Sequence, residues 1–218
     1  MGQGSRLMLV SFREHGIVDV IEGLEPIRRR PAMYVGDGTS ERSMCSRLVE
    51  SVVTNAANDR PSPSAVRVTV WAGNVVTVAF DGMPLPIAPY ADHRTKVLPH
   101  PELYRMFMYI AAPATERPLS FGGAVVNALS ERLVVWTRHE GVTFRASFRG
   151  GGLVSLLAES AVDELLGTNW LTFKPDEQLV PGSLTFEDSE AIASRVANEV
   201  PDVSVTAIDR MGVQANWV

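Results

Sequence analysis

The stretch SRLVESVVTNAANDR, residues 46–60, holds the side chains best spaced for chemistry. A helix turns about 100° per residue, so Ser51 falls roughly 40° from Asn55, and Asn58 or Asp59 extends the same face. Glu50 falls roughly 140° from Asn55 and points elsewhere. An amide and an acid on one helix face suit a metal-and-water site. The same pattern also suits an ordinary helix that carries a few polar residues. A serine hydroxyl is a poor general base, because it keeps its proton near neutral pH without a partner. Ser51 beside His93 or His100 would be a nucleophile–base pair only if the fold brought them together. The four histidines, His15, His93, His100 and His139, fall at no metal-ligand spacing and are expected to be solvated or locally bonded.

The element that presents these residues is a helix over about 43–59, with Leu48, Val49, Val52, Val53 and Ala56 as its apolar stripe and Pro61 and Pro63 closing it. Ahead of it, VDVIEGLEPIRRR predicts a short helix ended by Pro31, since the residue before a proline is pushed out of the helical region. PAMYVGDGTSER predicts a loop. Downstream, AVRVTVWAG and NVVTVAFDG are β-branched runs meeting at Gly73-Asn74, a hairpin signal. A proline-rich loop leads to a helix around 101–112, where Leu103, Met106, Phe107 and Ile110 recur at helical spacing. Residues 113–122 predict a second loop, and GGAVVNALS opens a short helix. RLVVWTRHEGVTFRASFRG predicts a hairpin turning at Glu140-Gly141, NWLTFKP a strand, SEAIASRVANEV a helix and VSVTAIDR a last strand. Helices and hairpins are mixed rather than alternating as βαβ, which gives an α+β class with a mixed, largely antiparallel sheet. Residues 1–20 are expected to form an arm and 21–218 a single domain.

The bulk numbers bound the function. The chain has 218 residues, 45% of them hydrophobic, which is enough for a real core. A net charge of −5 with 21% charged residues argues against direct DNA binding through bulk electrostatics. The run Arg28-Arg29-Arg30 is expected to be a solvated turn. Cys45 is the only cysteine, which excludes an internal disulfide and fits a reducing, cytoplasmic compartment. The apolar run near the start is too short for a membrane span, and no membrane association is expected.

Five segments in order resemble a known family. LEPIRRRPAMYVGD resembles the entry segment of the gyrase B and topoisomerase IV ParE subunits, and LVESVVTNAAND their first catalytic helix. VTVAFDGMPLP resembles their DxGxGxP strand-loop, GGAVVNALSERL the helix after their glycine-rich lid, and GTNWLTFKPD their GTxxxFxPD strand. The resemblance runs from about residue 20 to about 210. It implies the GHKL, or Bergerat, fold: a two-layer sandwich of helices on a mixed sheet. The chain stops near the end of the family's ATPase subdomain, so the transducer and later domains are expected to be absent.

Carried over residue by residue, the resemblance implies a damaged site. Ser51 stands where the family has the glutamate that polarises the attacking water, and Asn55 where it has the magnesium-holding asparagine. Phe80 stands at the aspartate that reads the adenine amino group, and Met83 replaces an arginine of the pocket rim. Asp81 and Gly82 match the family's acid and first glycine, with Asp81 expected on the opposite face of the strand. Of the phosphate-cradling GGxxGxG lid only Gly122 and Gly123 remain, placed by the sequence at a helix entrance that could hold an anion weakly. Thr168 matches the family threonine near the adenine, unless the longer strand puts Asn169 there instead. Asn55, Asp81, Gly82, Gly122, Gly123 and Thr168 would thus line a vestigial nucleotide pocket.

The resemblance and these substitutions together lead to a non-hydrolysing gyrase B-like module that binds a protein, possibly gyrase-related, or a small molecule. No cofactor is expected on this reading. The alternative is a divergent ATPase using Mg-ATP, with Glu50 or Asp59 recruited as base. Nucleotide-driven dimerisation is not expected, and any dimer would use the arm RLMLVSF or the exposed part of YRMFMYI.

Overall fold

A computed structural model describes residues 23–90, 100–110, 119–162, 164 and 166–217. The expected arm, His15 and His93 lie outside them, as does the side chain of His100.

Among the described residues, nine strands and six helices form two layers. The helices are α1 (Glu25–Arg29), α2 (Ala32–Val35), α3 (Met44–Ala57), α4 (Glu102–Met108), α5 (Leu119–Ala128) and α6 (Phe186–Glu199). The strands are β1 (Ala65–Trp71), β2 (Val75–Phe80), β3 (Pro89–Tyr90), β4 (His100–Pro101), β5 (Ser130–His139), β6 (Val142–Arg149), β7 (Gly152–Glu159), β8 (Asn169–Pro175) and β9 (Ser204–Arg210). Seven of the strands make one sheet in the order β7-β6-β5-β8-β2-β1-β9, and β3 pairs with β4 separately. Every neighbouring pair in the large sheet is antiparallel except β1 with β9. The α+β class with a mixed, largely antiparallel sheet is what the sequence pattern implies.

Strand alternation sorts the sheet into two faces. Val66, Val68 and Val70 of β1, Val76, Val78 and Phe80 of β2, and Leu171 and Phe173 of β8 join the main core under the helices. Ala79, Val134, Trp136 and Trp170 form a smaller cluster on the other face. α3 starts where the Ser43 side chain accepts the Ser46 amide, and it buries Leu48, Val49, Val52 and Val53 against the sheet. Burying each such side chain contributes about 1.5–3 kcal/mol. α6 starts with a reciprocal capping box between Thr185 and Asp188 and buries Ile192 and Val196.

Both hairpins turn where expected. Gly73 and Asn74 have φ of 75° and 60°, and Glu140 and Gly141 have 48° and 87°. Two successive positive φ angles match the right-handed twist of the flanking strands.

Several elements differ from the sequence pattern. Residues 32–35 form a helical turn rather than a loop, because Pro31 itself sits in helical geometry at φ −56° and ψ −38°. α4 ends at Met108, short of the expected 112, although Leu103, Met106 and Phe107 are buried as their spacing implies. α5 begins at Leu119, ahead of the two glycines. β7 was not legible: Leu153 and Leu157 pack on the core while Val154 and Leu156 face solvent, and pairing with β6 makes this stretch a strand. The arginine run is not simply solvated either. Arg28 donates to the Ala128 carbonyl at 2.6 Å and pairs with Asp176 at 3.4 Å.

Candidate functional site

α3 presents Ser51 and Asn55 on one side, as its period requires. The Asn55 amide lies 3.4 Å from the Ser51 hydroxyl, and both residues are half-buried. Glu50 faces away from them. Arg195 of α6 donates to it at 2.8 Å, and Arg42 forms a second ion pair with its other oxygen. Glu50 is half-buried and joins α3 to α6. With desolvation first and the neighbouring Arg195 and Arg47 charges adding to it, the Arg42 guanidinium is held below its ordinary pKa. Asp59, at the end of the helix, is buried at 1% exposure.

The two glycines do not open a helix. Gly122 and Gly123 lie inside α5, so their amides are not an N-terminal anion cradle as expected. They are close-approach residues. A β-carbon on Gly122 would sit 2.3 Å from Asn55 Nδ2, and one on Gly123 would sit 2.6 Å from the Met106 carbonyl oxygen. Only glycine lets α5 press against α3 and α4 here, and the α5 backbone therefore covers the Asn55 amide.

Phe80 is 1% exposed on the helix-covered face and pairs in register with Asn169 of β8. Asn169, not Thr168, is therefore the residue beside Phe80. Asn169 Oδ1 accepts the Leu85 amide at 3.0 Å and the Thr137 hydroxyl at 2.8 Å, while its Nδ2 donates to the Met83 carbonyl at 2.9 Å. Thr137 Oγ1 also accepts the Leu85 amide at 2.8 Å, and His139 Nε2 lies 2.7 Å from the Leu85 carbonyl. These groups pin the loop after β2 to the sheet and bury Leu85 completely. His139 is locally bonded, as expected. The role of Thr137 and Asn169 was missed, although alternation in RLVVWTRH and NWLTFKP places both on the core face.

Asp81 turns to the opposite face, as its place in the strand implies. Its carboxylate accepts the Ser64 amide at 2.7 Å, the Ala65 amide at 2.9 Å and the Ser64 hydroxyl. Burial works to raise its pKa, but these hydrogen bonds outweigh it and hold the carboxyl below the usual aspartate value. Gly82 follows at φ 104°, a conformation that favours glycine, and the Met83 side chain is exposed. Thr168 lines an open hollow of about 460 Å³ with Arg67, Asp81 and Arg138, on the face away from Asn55 and Phe80. The six expected pocket residues thus divide. Asn55, Gly122 and Gly123 pack together among the helices, whereas Asp81 and Thr168 lie across the sheet and Gly82 sits at the turn between the faces.

Among the described residues no group of three His, Cys, Asp or Glu side chains is gathered as a metal site, and no helix is long and apolar enough to cross a membrane.

A helical layer on a mixed seven-stranded sheet, with the asparagine-bearing α3 packed over β1 and β2, is a GHKL-type two-layer fold. The structure matches the 43K ATPase domain of Thermus thermophilus gyrase B, solved in complex with an aminocoumarin, with a TM-score of 0.71 and 25% identity. The match covers 88% of this chain and 50% of that one. In sequence, the chain is 29% identical over 206 residues to the B subunit of the type 2 topoisomerase of Aquifex aeolicus, covering 89% of this chain and 25% of that protein. It is 28% identical over 179 residues to the B subunit of DNA topoisomerase 4 of Caulobacter vibrioides, covering 78% and 25%. No protein-family model matches the chain. The chain is a homologue of gyrase B and topoisomerase IV B subunits, and it spans about a quarter of the length of these two curated relatives.

Proposed function

We propose that this chain is a gyrase B-like GHKL module that does not hydrolyse ATP and works by binding another molecule, a protein or a small ligand, in the cytoplasm. The observation that carries this reading is the placement of acids on α3. Ser51 faces Asn55 where a water-activating carboxylate would be needed, while the adjacent Glu50 is committed to Arg42 and Arg195. Recruiting Glu50 as a base would require rotating it past the helix axis and breaking both ion pairs.

Two further features support it. The buried Phe80 ring offers no acceptor to an adenine amino group, and an unpaired buried donor costs about 1–3 kcal/mol. The α5 backbone at Gly122 packs on the Asn55 amide, the group that would otherwise be offered to a metal ion. These residues do not fit Mg-ATP in the manner of the family, and magnesium depends on nucleotide phosphates for much of its coordination. The net charge of −5 argues against DNA as the partner.

The test is a steady-state ATPase assay on the pure chain, paired with a thermal-shift series in Mg-ATP and Mg-ADP. A site occupied at one hundred times its Kd stabilises by about 2.7 kcal/mol. We expect no turnover and a flat thermal response. Sustained hydrolysis that disappears in Asn55→Ala would overturn the proposal.

A further inference from the structure

One end of the sheet face turned away from the helices gathers cations. Arg67 of β1 stands opposite Ala79 of β2, and Arg138 of β5 alternates onto the same face as Val134 and Trp136. The Arg138 amide donates to the Thr168 carbonyl at 2.8 Å, which sets Thr168 beside Arg138 just before β8. Arg67, Arg138 and Thr168 line an open hollow of about 460 Å³ with Asp81, Gly141 and Gly167. Gly167 passes so close to β2 that a β-carbon would meet the Phe80 carbonyl oxygen at 2.9 Å, so this part of the wall is bare backbone.

The charges around the hollow do not cancel. Asp81 is the only acid among the lining residues, and its carboxylate is already held by the Ser64 and Ala65 amides and the Ser64 hydroxyl. Arg67 is exposed and donates to the Leu166 carbonyl, which leaves its other donors without an acceptor among the described residues. Arg138 is half-buried and makes no ion pair or side-chain hydrogen bond among the described residues. A partly desolvated guanidinium without an acceptor favours an incoming anion. Two cations against one acid leave the hollow positive in a chain whose net charge is −5.

We propose that this hollow binds a small phosphate ligand, held by Arg67 and Arg138 and by a third hydrogen bond from the Thr168 hydroxyl. Guanidinium groups present paired N–H donors that match phosphate oxygens. Arg138 Nε is enclosed by protein, so the contact is assigned to the terminal nitrogens of that side chain. The hollow lies across the sheet from Asn55 and Phe80, so it stands whether or not the domain binds nucleotide.

Titrating the full chain with inorganic phosphate and with methyl phosphate, with chloride holding the ionic strength constant, tests this. The readout is the backbone amide resonances of Gly141, Gly167 and Thr168. Both probes should give saturable shifts, and the tighter of the two tells whether the free ion or a phosphate monoester is the better occupant. Arg138→Gln and Arg67→Gln should each weaken binding by about tenfold or more, the loss of a charged hydrogen-bond donor. Arg149→Gln, at an exposed arginine on the far end of β6, should leave the affinity unchanged. No saturable shift at these amides with either probe would overturn the proposal. So would equal weakening by Arg149→Gln, which would make the effect one of bulk charge. Undiminished binding in Arg67→Gln would do the same, even should Arg138→Gln fail to fold.

Discussion

The two faces of the central sheet have been treated differently. Under the helices, Asn169 closes on Thr137 and the 83–85 backbone, and Asn55 lies against Ser51 with a helix backbone pressed on it. On the opposite face, hollows remain between the side chains. The helix-covered side holds Phe80 and Asn169 in packed core, and the other side keeps open space. A few polar positions carry chemistry while many apolar ones carry the fold, so the first can be lost while the second stays.

Phe80 is the strongest place to break this contrast. If it is core filling, Phe80→Ala should cost about 3–5 kcal/mol in a urea unfolding series, the ordinary loss for a buried aromatic. A cost below about 1 kcal/mol would mean the ring lines a space the protein keeps open.

The contact of α5 with Asn55 comes next. Gly122→Ala inserts a β-carbon where Asn55 Nδ2 already lies, and overpacking of this kind costs about 1–3 kcal/mol. The obstruction is a side chain, so it can be removed. In an Asn55→Ala background the same substitution should cost less than about 1 kcal/mol, giving a clear coupling term in a double-mutant cycle. Equal costs in both backgrounds would show that α5 does not rest on Asn55.

These contacts also mark where sequence reasoning stopped. The apolar periods of α3 and α4, both hairpin turns and the alternation of β1, β2, β5 and β8 were legible because each depends on local spacing. The turn at 32–35, the start of α5 and the strand β7 were not. Two of these depend on tertiary partners: β7 exists through β6, and the two glycines are needed for a helix contact rather than for a loop. The site divided the same way. The serine at 51 and the phenylalanine at 80 could be read directly, but the ion pairs that hold Glu50 join residues 42, 50 and 195. The choice between Thr168 and Asn169 hung on a one-residue register, and a single step moves a side chain to the other face.

Asp81 lies on the face away from the helices, and its three hydrogen bonds tie the end of β2 to the start of β1. Asp81→Asn should cost about 1.5–3 kcal/mol at neutral pH, the usual worth of hydrogen bonds to a charged group. Its folded pKa is depressed, so the stabilisation is complete above the unfolded value of about 3.9 and fades as pH falls through the lower folded value. Unfolding curves taken from pH 7 down to about pH 2 should show the gap between wild type and Asp81→Asn closing only at the acid end. A gap constant across that range would mean the carboxylate charge plays no part.

The smallest effect should be a gain. Glu140 holds φ 48° in the β5–β6 turn, a conformation that costs a side-chain-bearing residue about 1–2 kcal/mol and that asparagine or glycine tolerates better. The glutamate makes no hydrogen bond or ion pair among the described residues that would offset this. Glu140→Asn should therefore stabilise the chain by about 0.5–1 kcal/mol, read as a higher midpoint in urea unfolding. The turn joins two strands that contribute to both faces, so it separates general stability from the contrast between them. An unfolding midpoint that does not move in Glu140→Asn would show that the left-handed backbone at this turn costs the chain nothing.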